Sequence, residues 1–269
     1  MIVENIHNNF IDYRKFFGLL QKPLLIYDKD SETHKLVVAV LGLVARSLLK
    51  SDAESAEMLF LEVLLPELLK VGENEFKRPL VANLILEFVR KESECYFSLV
   101  QRIKELCAGN IRSYVALLAH LLERIARECE DIQYTLWSEF FYYGFLAINN
   151  PAPSVRSHGA KVLARLFSDV VVANNEVVGE KLPALQGLVS DPWWEVRAQG
   201  LVIFKAILLS KYKNQSSSTD INEDLNTKTI LHYISQVFKV DVSHNILRIG
   251  LIELAELIVY EEGLCERYL

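Results

Sequence analysis

Two stretches in the second half of the chain decide the fold: PSVRSHGAKVLARL at 153–166 and DPWWEVRAQGL at 191–201. Each contains Val-Arg, then a glycine three positions after the arginine (Gly159 and Gly200), then an apolar run. A turn residue, a proline near the first helical position and apolar residues three and four apart are typical of an amphipathic helix. The stretches therefore predict two helices of one kind, and their arginines, Arg156 and Arg197, are spaced as in helical repeats.

Helical periodicity extends from these stretches over most of the chain. With only 11 Gly and 7 Pro in 269 residues, the sequence lacks the turn residues that an all-β sandwich or barrel needs. Half of the residues (51%) are hydrophobic, so the chain can bury a sizeable core. We predict helices over roughly 7–20, 32–49, 53–70, 75–91, 94–107, 111–128, 132–148, 153–169, 174–189, 192–211, 228–239 and 244–261.

These helices pair into six hairpins within a single domain over 1–269. The approximate repeats are 7–49, 53–91, 94–128, 132–169, 174–211 and 228–261, and the polar, aperiodic stretch 212–227 predicts a mobile loop. A basic residue recurs near the start of each second helix: Lys35, Arg78, Arg112, Arg156, Arg197 and Arg248. A hairpin alone cannot bury both faces, so hairpins of this kind are expected to stack on one another.

The repeated pattern resembles the HEAT-repeat family of armadillo-like proteins, whose second helices open with Val-Arg after an Asp or Asn turn. The resemblance implies an all-α, right-handed α-solenoid of about six helical hairpins. It also implies an acid–base ladder between neighbouring turns, in which Arg156 and Arg197 act together with Asp191. Pro66 and Pro183 fall within first helices, where proline often kinks the family's repeat.

No pattern of catalytic or metal-binding chemistry is visible. The sequence contains no phosphate-binding glycine loop, no G-x-S-x-G and no H-E-x-x-H. The six histidines are scattered, and Cys95, Cys107, Cys129 and Cys265 form no C-x-x-C pair, so we expect structural roles for them. The sequence therefore predicts a chain that is not an enzyme and binds neither a metal nor a cofactor.

Charge and targeting signals narrow the class of partner. The net charge is −6, whereas nucleic acids and acidic membrane surfaces need a basic face. The first nine residues lack the apolar core of a secretory signal, and the longest apolar run, 36–45, is too short to span a bilayer. We expect a soluble protein of the cytoplasm, or alternatively of the nucleus, that binds another protein.

The dipeptide Trp193–Trp194 is the first candidate for that contact. Adjacent helical residues point about 100° apart, so both rings are not expected to enter the same core contact. One ring can therefore be exposed at the turn as an interface anchor, although packing of both rings against Pro192 and neighbouring repeats is the alternative.

The segment 134–145 is the second candidate because seven of its twelve residues are aromatic. That exceeds what one buried helical face can hold, which predicts that Trp137, Tyr142 and Tyr143 contribute to a groove or interface. Ordinary core packing is again the alternative, since helices inside a solenoid are covered on both sides.

These observations favour a non-enzymatic scaffold or adaptor that uses a curved surface and a turn edge. The alternative is a TOG-type tubulin-binding array, a six-repeat relative of similar length with a Trp and basic residues at its turns. Here the turns 71–74, 108–110 and 149–152 contain no Lys or Arg. This differs from a tubulin-binding array, because the acidic surface of tubulin needs basic contacts. A HEAT-like nucleic-acid-binding protein is a weaker alternative because of the net charge.

Overall fold

The computed structural model describes residues 60–107, 111–128, 134–168, 177–213, 221–240 and 243–260, together with Glu32, Val40 and Glu57. Every element in these ranges is helical, which confirms the all-α class. The chain divides into two compact units, 1–136 and 137–269, which are described separately below. The predicted helices 7–20 and 32–49 fall almost wholly outside the described ranges.

Within the described ranges, ten α-helices follow a π-helical turn at Phe60–Leu64. They are α1 (Leu65–Gly72), α2 (Arg78–Glu87), α3 (Ser93–Leu106), α4 (Ile111–Glu128), α5 (Tyr134–Ile148), α6 (Pro153–Phe167), α7 (Val177–Val189), α8 (Trp194–Lys213), α9 (Ile221–Val240) and α10 (His244–Tyr260). Pro66 is the second residue of α1 and Pro183 lies inside α7. No helix in these ranges is long and apolar enough to cross a lipid bilayer.

The first unit is held together by apolar contacts among α1 to α4. α1 packs on the π-helical turn and on α2, α2 packs on α4, and α3 packs on α4. The rings of Phe60 and Phe88 stack with their centroids 4.9 Å apart. Fully buried side chains fill the space between the helices: Leu65, Val81, Ile85, Leu99, Ile103, Leu118, Leu122 and Ile125. Burial of these side chains supplies most of the driving force for folding this unit.

In the second unit, a helix packs on the helix that comes two places later in the chain. α6 packs on α8 and α8 on α10, while α7 packs on α9. α8 also contacts its chain neighbours α7 and α9. A largely buried ion pair between Lys205 and Glu253 links α8 to α10. Within this unit, α6, α8 and α10 therefore form one set of contacting helices, and α7 and α9 form another.

Turn residues fix where the helices of this unit begin. α6 starts with Pro153, whose missing N–H would have had no helical acceptor at that position. The Oγ of Ser243 accepts the N–H of Ile246 at 3.3 Å and so caps the N-terminus of α10.

The predicted loop over 212–227 is too long at both ends. α8 continues to Lys213, and α9 begins at Ile221 rather than near residue 228. The sequence at the start of α9 is polar and aperiodic, so apolar periodicity could not predict this part of the helix. Polar residues in a first helical turn lack the apolar periodicity used to recognise a helix.

Candidate functional site

Three turns within the described ranges are each built around an arginine of the helix that follows. The guanidinium donates a hydrogen bond to the backbone carbonyl six residues earlier, inside the turn. The pairs are Arg78 Nε with Gly72 O at 3.4 Å, Arg156 Nη1 with Asn150 O at 3.1 Å, and Arg197 Nη1 with Asp191 O. Arg78, Arg156 and Arg197 thus donate hydrogen bonds to backbone carbonyls that lack a helical N–H donor.

The same turns share a second feature, an Asn or Asp side chain that accepts the backbone N–H of the residue two positions later in the chain. The pairs are Asn74 Oδ1 with Phe76 N at 3.0 Å, Asn150 Oδ1 with Ala152 N at 3.0 Å, and Asp191 Oδ1 with Trp193 N at 2.8 Å. Such a bond stabilises a tight turn because the side-chain oxygen accepts the N–H in place of a backbone carbonyl oxygen. The residue whose N–H is held in this way is therefore fixed in position.

In the second unit, one ion pair joins two consecutive turns. Arg156 Nε lies 2.6 Å from Asp191 Oδ2 and Arg156 Nη2 lies 3.0 Å from Oδ1, a bidentate arrangement. The two side chains are only 13% and 8% exposed, and hydrogen bonding to Asp191 raises the pKa of Arg156. Arg197 reaches the same residue through the carbonyl of Asp191. The structure thus brings together all three residues of the expected ladder.

The tryptophan pair lies on the turn that this ion pair fixes, and its two rings differ in exposure. Trp193 is 45% exposed, whereas Trp194, the first residue of α8, is half-buried. The carbonyl of Trp193 also accepts the N–H groups of Val196 and Arg197 at 3.1 and 3.3 Å. The backbone of Trp193 is therefore bonded on both sides while its indole ring faces solvent.

The aromatic helix α5 uses its aromatic side chains mainly for packing. Tyr143 is fully buried, with its ring centroid 5.1 Å from that of Tyr142, and Phe140 is also fully buried. Trp137 is half-buried. Among the aromatic side chains of α5 that the structure describes, 137–145, Tyr142 is the most exposed, at 59%. Tyr143 is thus corrected from a partner-contacting residue to a core residue, because its position on the helix turns it towards the neighbouring helices.

Sequence reasoning missed five exposed apolar side chains, among them Leu106 at the end of α3, which is 38% exposed. Phe76, in the turn before α2, is 72% exposed. Leu247, Leu251 and Ile252 are exposed along α10. A phenylalanine inside a polar turn was a recognisable signal, because the glycine and asparagine before it already mark a break between helices.

The two cysteines of the described ranges lack the lowered pKa of a catalytic thiol. Cys95 and Cys107 are buried, and burial is the main cause that raises the pKa of each thiol to about 11. Both thiols are therefore neutral and poor nucleophiles at physiological pH.

Comparison with known proteins adds no assignment. No protein-family model matches the sequence, and no curated protein matches it.

Proposed function

We propose that this chain is a non-enzymatic scaffold or adaptor, built from HEAT-like hairpins, that binds another protein through a turn edge centred on Trp193. The observation on which the proposal rests is an exposed indole on a turn whose backbone is fixed. Asp191 holds the N–H of Trp193 and is itself held by Arg156. The function is inferred from this site rather than from the helical fold, which many unrelated activities share.

A fixed, exposed tryptophan is suited to binding a protein. Tryptophan is enriched among the residues that contribute most to interface affinity, because its large ring buries much apolar area with few rotatable bonds. Since the turn is already ordered, binding costs little backbone entropy there. The charged groups of Asp191 and Arg156 neutralise each other and are already largely buried, so a partner would not have to desolvate them.

The packing of the second unit supports a solenoid of hairpins. Contacts between alternate helices, α6 with α8, α8 with α10 and α7 with α9, are what stacked hairpins require. The repeated arginine bonds of Arg78, Arg156 and Arg197 support a common origin for the turns in both units. We therefore extend the proposal to a right-handed α-solenoid of about six hairpins.

Tubulin is the alternative partner, and the exposed Trp193 turn is the feature that favours it. An acidic partner would also need free basic groups beside that tryptophan. At this turn, however, the guanidinium groups of Arg156 and Arg197 already bind Asp191. For this reason we rank an unidentified protein above tubulin, and both above nucleic acid, which the net charge of −6 would repel.

Affinity capture from cell extract with quantitative mass spectrometry tests the proposal. Wild-type chain is compared with Trp193→Ala, with Tyr142→Ala as the matched control because Tyr142 is an exposed aromatic elsewhere on the same unit. We expect a partner that Trp193→Ala loses and Tyr142→Ala retains, with helix content unchanged in both variants. A partner retained by Trp193→Ala and lost by Tyr142→Ala would move the binding surface to α5 and contradict the proposal.

A further inference from the structure

The helix α10 exposes an apolar stripe as well as packing on α8. Leu251 is 68% exposed, and Leu247 and Ile252 are exposed beside it. Together with three further exposed residues they recur three and four positions apart, so they share one side of the helix. We call these six residues the α10 face: His244, Leu247, Arg248, Leu251, Ile252 and Ala255.

A glycine gives the register in which α6, α8 and α10 can be compared. Gly159 and Gly200 face the preceding helix of their own hairpins, since an added Cβ would lie against α5 and α7. Gly250 does the same in α10, where an added Cβ would meet the ring of Phe238 in α9. Positions counted from these glycines are therefore equivalent in the three helices.

Two of these positions face the next helix of the set. Two residues before the glycine of α6, the Oγ of Ser157 donates a hydrogen bond to Oε2 of Glu195 in α8 at 3.3 Å. Five residues after the glycine of α8, Lys205 forms its ion pair with Glu253 of α10. The equivalent residues of α10 both belong to the α10 face: Arg248 and Ala255.

The residue that follows the glycine differs in exposure among the three helices. Ala160 of α6 and Leu201 of α8 are 0% and 3% exposed, whereas Leu251 of α10 is 68% exposed. In the first two helices a later helix of the set packs on top, α8 on α6 and α10 on α8. The α10 face is therefore equivalent to the faces of α6 and α8 that each receive a helix.

The charge of the α10 face differs from that of the whole chain. Its six residues include Arg248 and no acid, whereas the net charge of the chain is −6. Within the described ranges, the exposed guanidinium of Arg248 forms no hydrogen bond or ion pair. At the equivalent position of α6, Ser157 meets an acid of the covering helix, Glu195. An acid at the same place in a helix that covers α10 would pair with Arg248.

We propose that the α10 face binds an amphipathic helix of a partner protein, with apolar side chains on Leu251 and Ile252 and an acidic side chain on Arg248. Continuity with the packing of α6, α8 and α10 selects a helix as the occupant, because a helix covers the equivalent faces of α6 and α8. The charge of Arg248 selects an acidic helix. The α10 face lies on a different helix from the Trp193 turn, and the proposal does not depend on that turn.

Designed helical peptides test the α10 face on the full chain. Two fluorescein-labelled peptides of about 18 residues carry leucines three and four positions apart, long enough to cover the face, with glutamate at the polar positions of one and lysine in the other. A third peptide has the composition of the glutamate peptide in an order without an apolar stripe. Fluorescence anisotropy gives each Kd. We expect the glutamate peptide with the stripe to bind most tightly, because only it offers both an apolar face and acids.

Variants of the α10 face then locate the binding site. Leu251→Ala should weaken the Kd of the striped glutamate peptide by about fivefold or more, the loss typical of an interface anchor. Arg248→Glu should reverse the preference, so that the lysine peptide binds more tightly than the glutamate peptide. Trp193→Ala, at an exposed residue of the same unit, should leave the Kd unchanged, which separates failure here from failure at the Trp193 turn. Circular dichroism checks that each variant keeps its helices.

The same variants distinguish other occupants of the α10 face. Equal binding by wild type and Leu251→Ala, or tighter binding of the lysine peptide to the wild type, would overturn the proposal. A concentration-dependent dimer in analytical ultracentrifugation that Leu251→Ala abolishes would overturn it in favour of a second copy of this chain. Sedimentation with phosphatidylserine vesicles that Leu251→Ala abolishes would overturn it in favour of an anionic membrane.

Discussion

At the scale of single residues, Asp191 joins two turns through four hydrogen bonds. Its carboxylate accepts two from Arg156 and one from the N–H of Trp193, and its carbonyl accepts one from Arg197. One acidic side chain therefore sets the register of consecutive hairpins and positions the exposed tryptophan. A buried, bidentate pair of this kind fixes geometry more reliably than it adds net stability.

Removal of one partner from this pair should be costly. Asp191→Ala leaves a largely buried guanidinium without its carboxylate and frees the N–H of Trp193. We expect a loss of about 2–4 kcal/mol in the free energy of unfolding, measured by urea denaturation. Arg102→Ala is the matched control, because Arg102 pairs with Glu105 at 2.9 Å on an exposed surface and should cost less than about 1 kcal/mol. Equal losses in the two variants would contradict a special role for Asp191.

The two described cysteines should resist alkylation in the folded protein. At pH 8 a thiol with a pKa of about 11 is ionised in only about one molecule in a thousand, and the thiolate is the reactive form. Peptide mass spectrometry after native iodoacetamide treatment should find Cys95 and Cys107 unmodified, and both modified after denaturation. Rapid native alkylation of either thiol would show that its surroundings do not exclude solvent.

At the scale of helices, glycines set how closely the two helices of a hairpin approach. A Cβ added to Gly159 of α6 would lie 2.6 Å from the Ala147 Cβ and 3.0 Å from both the Gly144 carbonyl oxygen and the Ile148 nitrogen. At Gly200 of α8 the nearest atom would be the Leu188 Cβ at 3.2 Å. The glycine three residues after the arginine, noticed in both sequence stretches, thus faces the preceding helix of its own hairpin.

Two glycine variants should therefore have opposite effects. Gly159→Ala should destabilise the protein by about 1–3 kcal/mol, because the methyl group meets backbone atoms that cannot move aside. Gly187→Ala should stabilise α7 by about 0.5–1 kcal/mol, because nothing lies within 4 Å of the added Cβ and alanine favours the helix. Thermal unfolding measures both, and a stable Gly159→Ala variant would show that the helices of this hairpin can separate without cost.

Helix positions could be predicted where local signals were strong. The prediction for α4, 111–128, matches both bounds because its apolar stripe is regular, and α6 and α10 begin where proline and serine predict. The start of α9 could not be predicted, since its first residues are polar and aperiodic. Local periodicity identifies a helix by its buried face and therefore misses turns whose side chains are polar.

At the scale of the whole chain, contacts between residues that are far apart in sequence could not be predicted from local patterns. Arg156 and Asp191 are 35 positions apart, and only the repeat pattern, through its resemblance to a family, suggested that they meet. Neither pattern nor resemblance could decide which ring of Trp193–Trp194 is exposed, because that depends on how neighbouring helices cover each side of α8. Phe76 differs, because the glycine and asparagine before it mark a turn, so its exposure could have been predicted from the sequence.

Tubulin binding is a test for the entire molecule. With a net charge of −6, and with Arg156 and Arg197 bound to Asp191, the chain offers little attraction to an acidic partner at the Trp193 turn. We therefore expect no co-migration with unpolymerised tubulin in size-exclusion chromatography at physiological salt. Co-migration that Trp193→Ala abolishes would instead favour the tubulin-binding version of the scaffold.

Site-specific photo-cross-linking in cells tests the central claim most directly, because it reports which surface touches a partner. Benzoylphenylalanine replaces Trp193 in one variant and Tyr142 in the other, so that each keeps an aromatic group at an exposed position. The account predicts a discrete cross-linked protein from position 193 and none from position 142. Cross-linking from position 142 alone, or from neither position in cells where the wild-type chain captures a partner, would contradict a binding edge at Trp193.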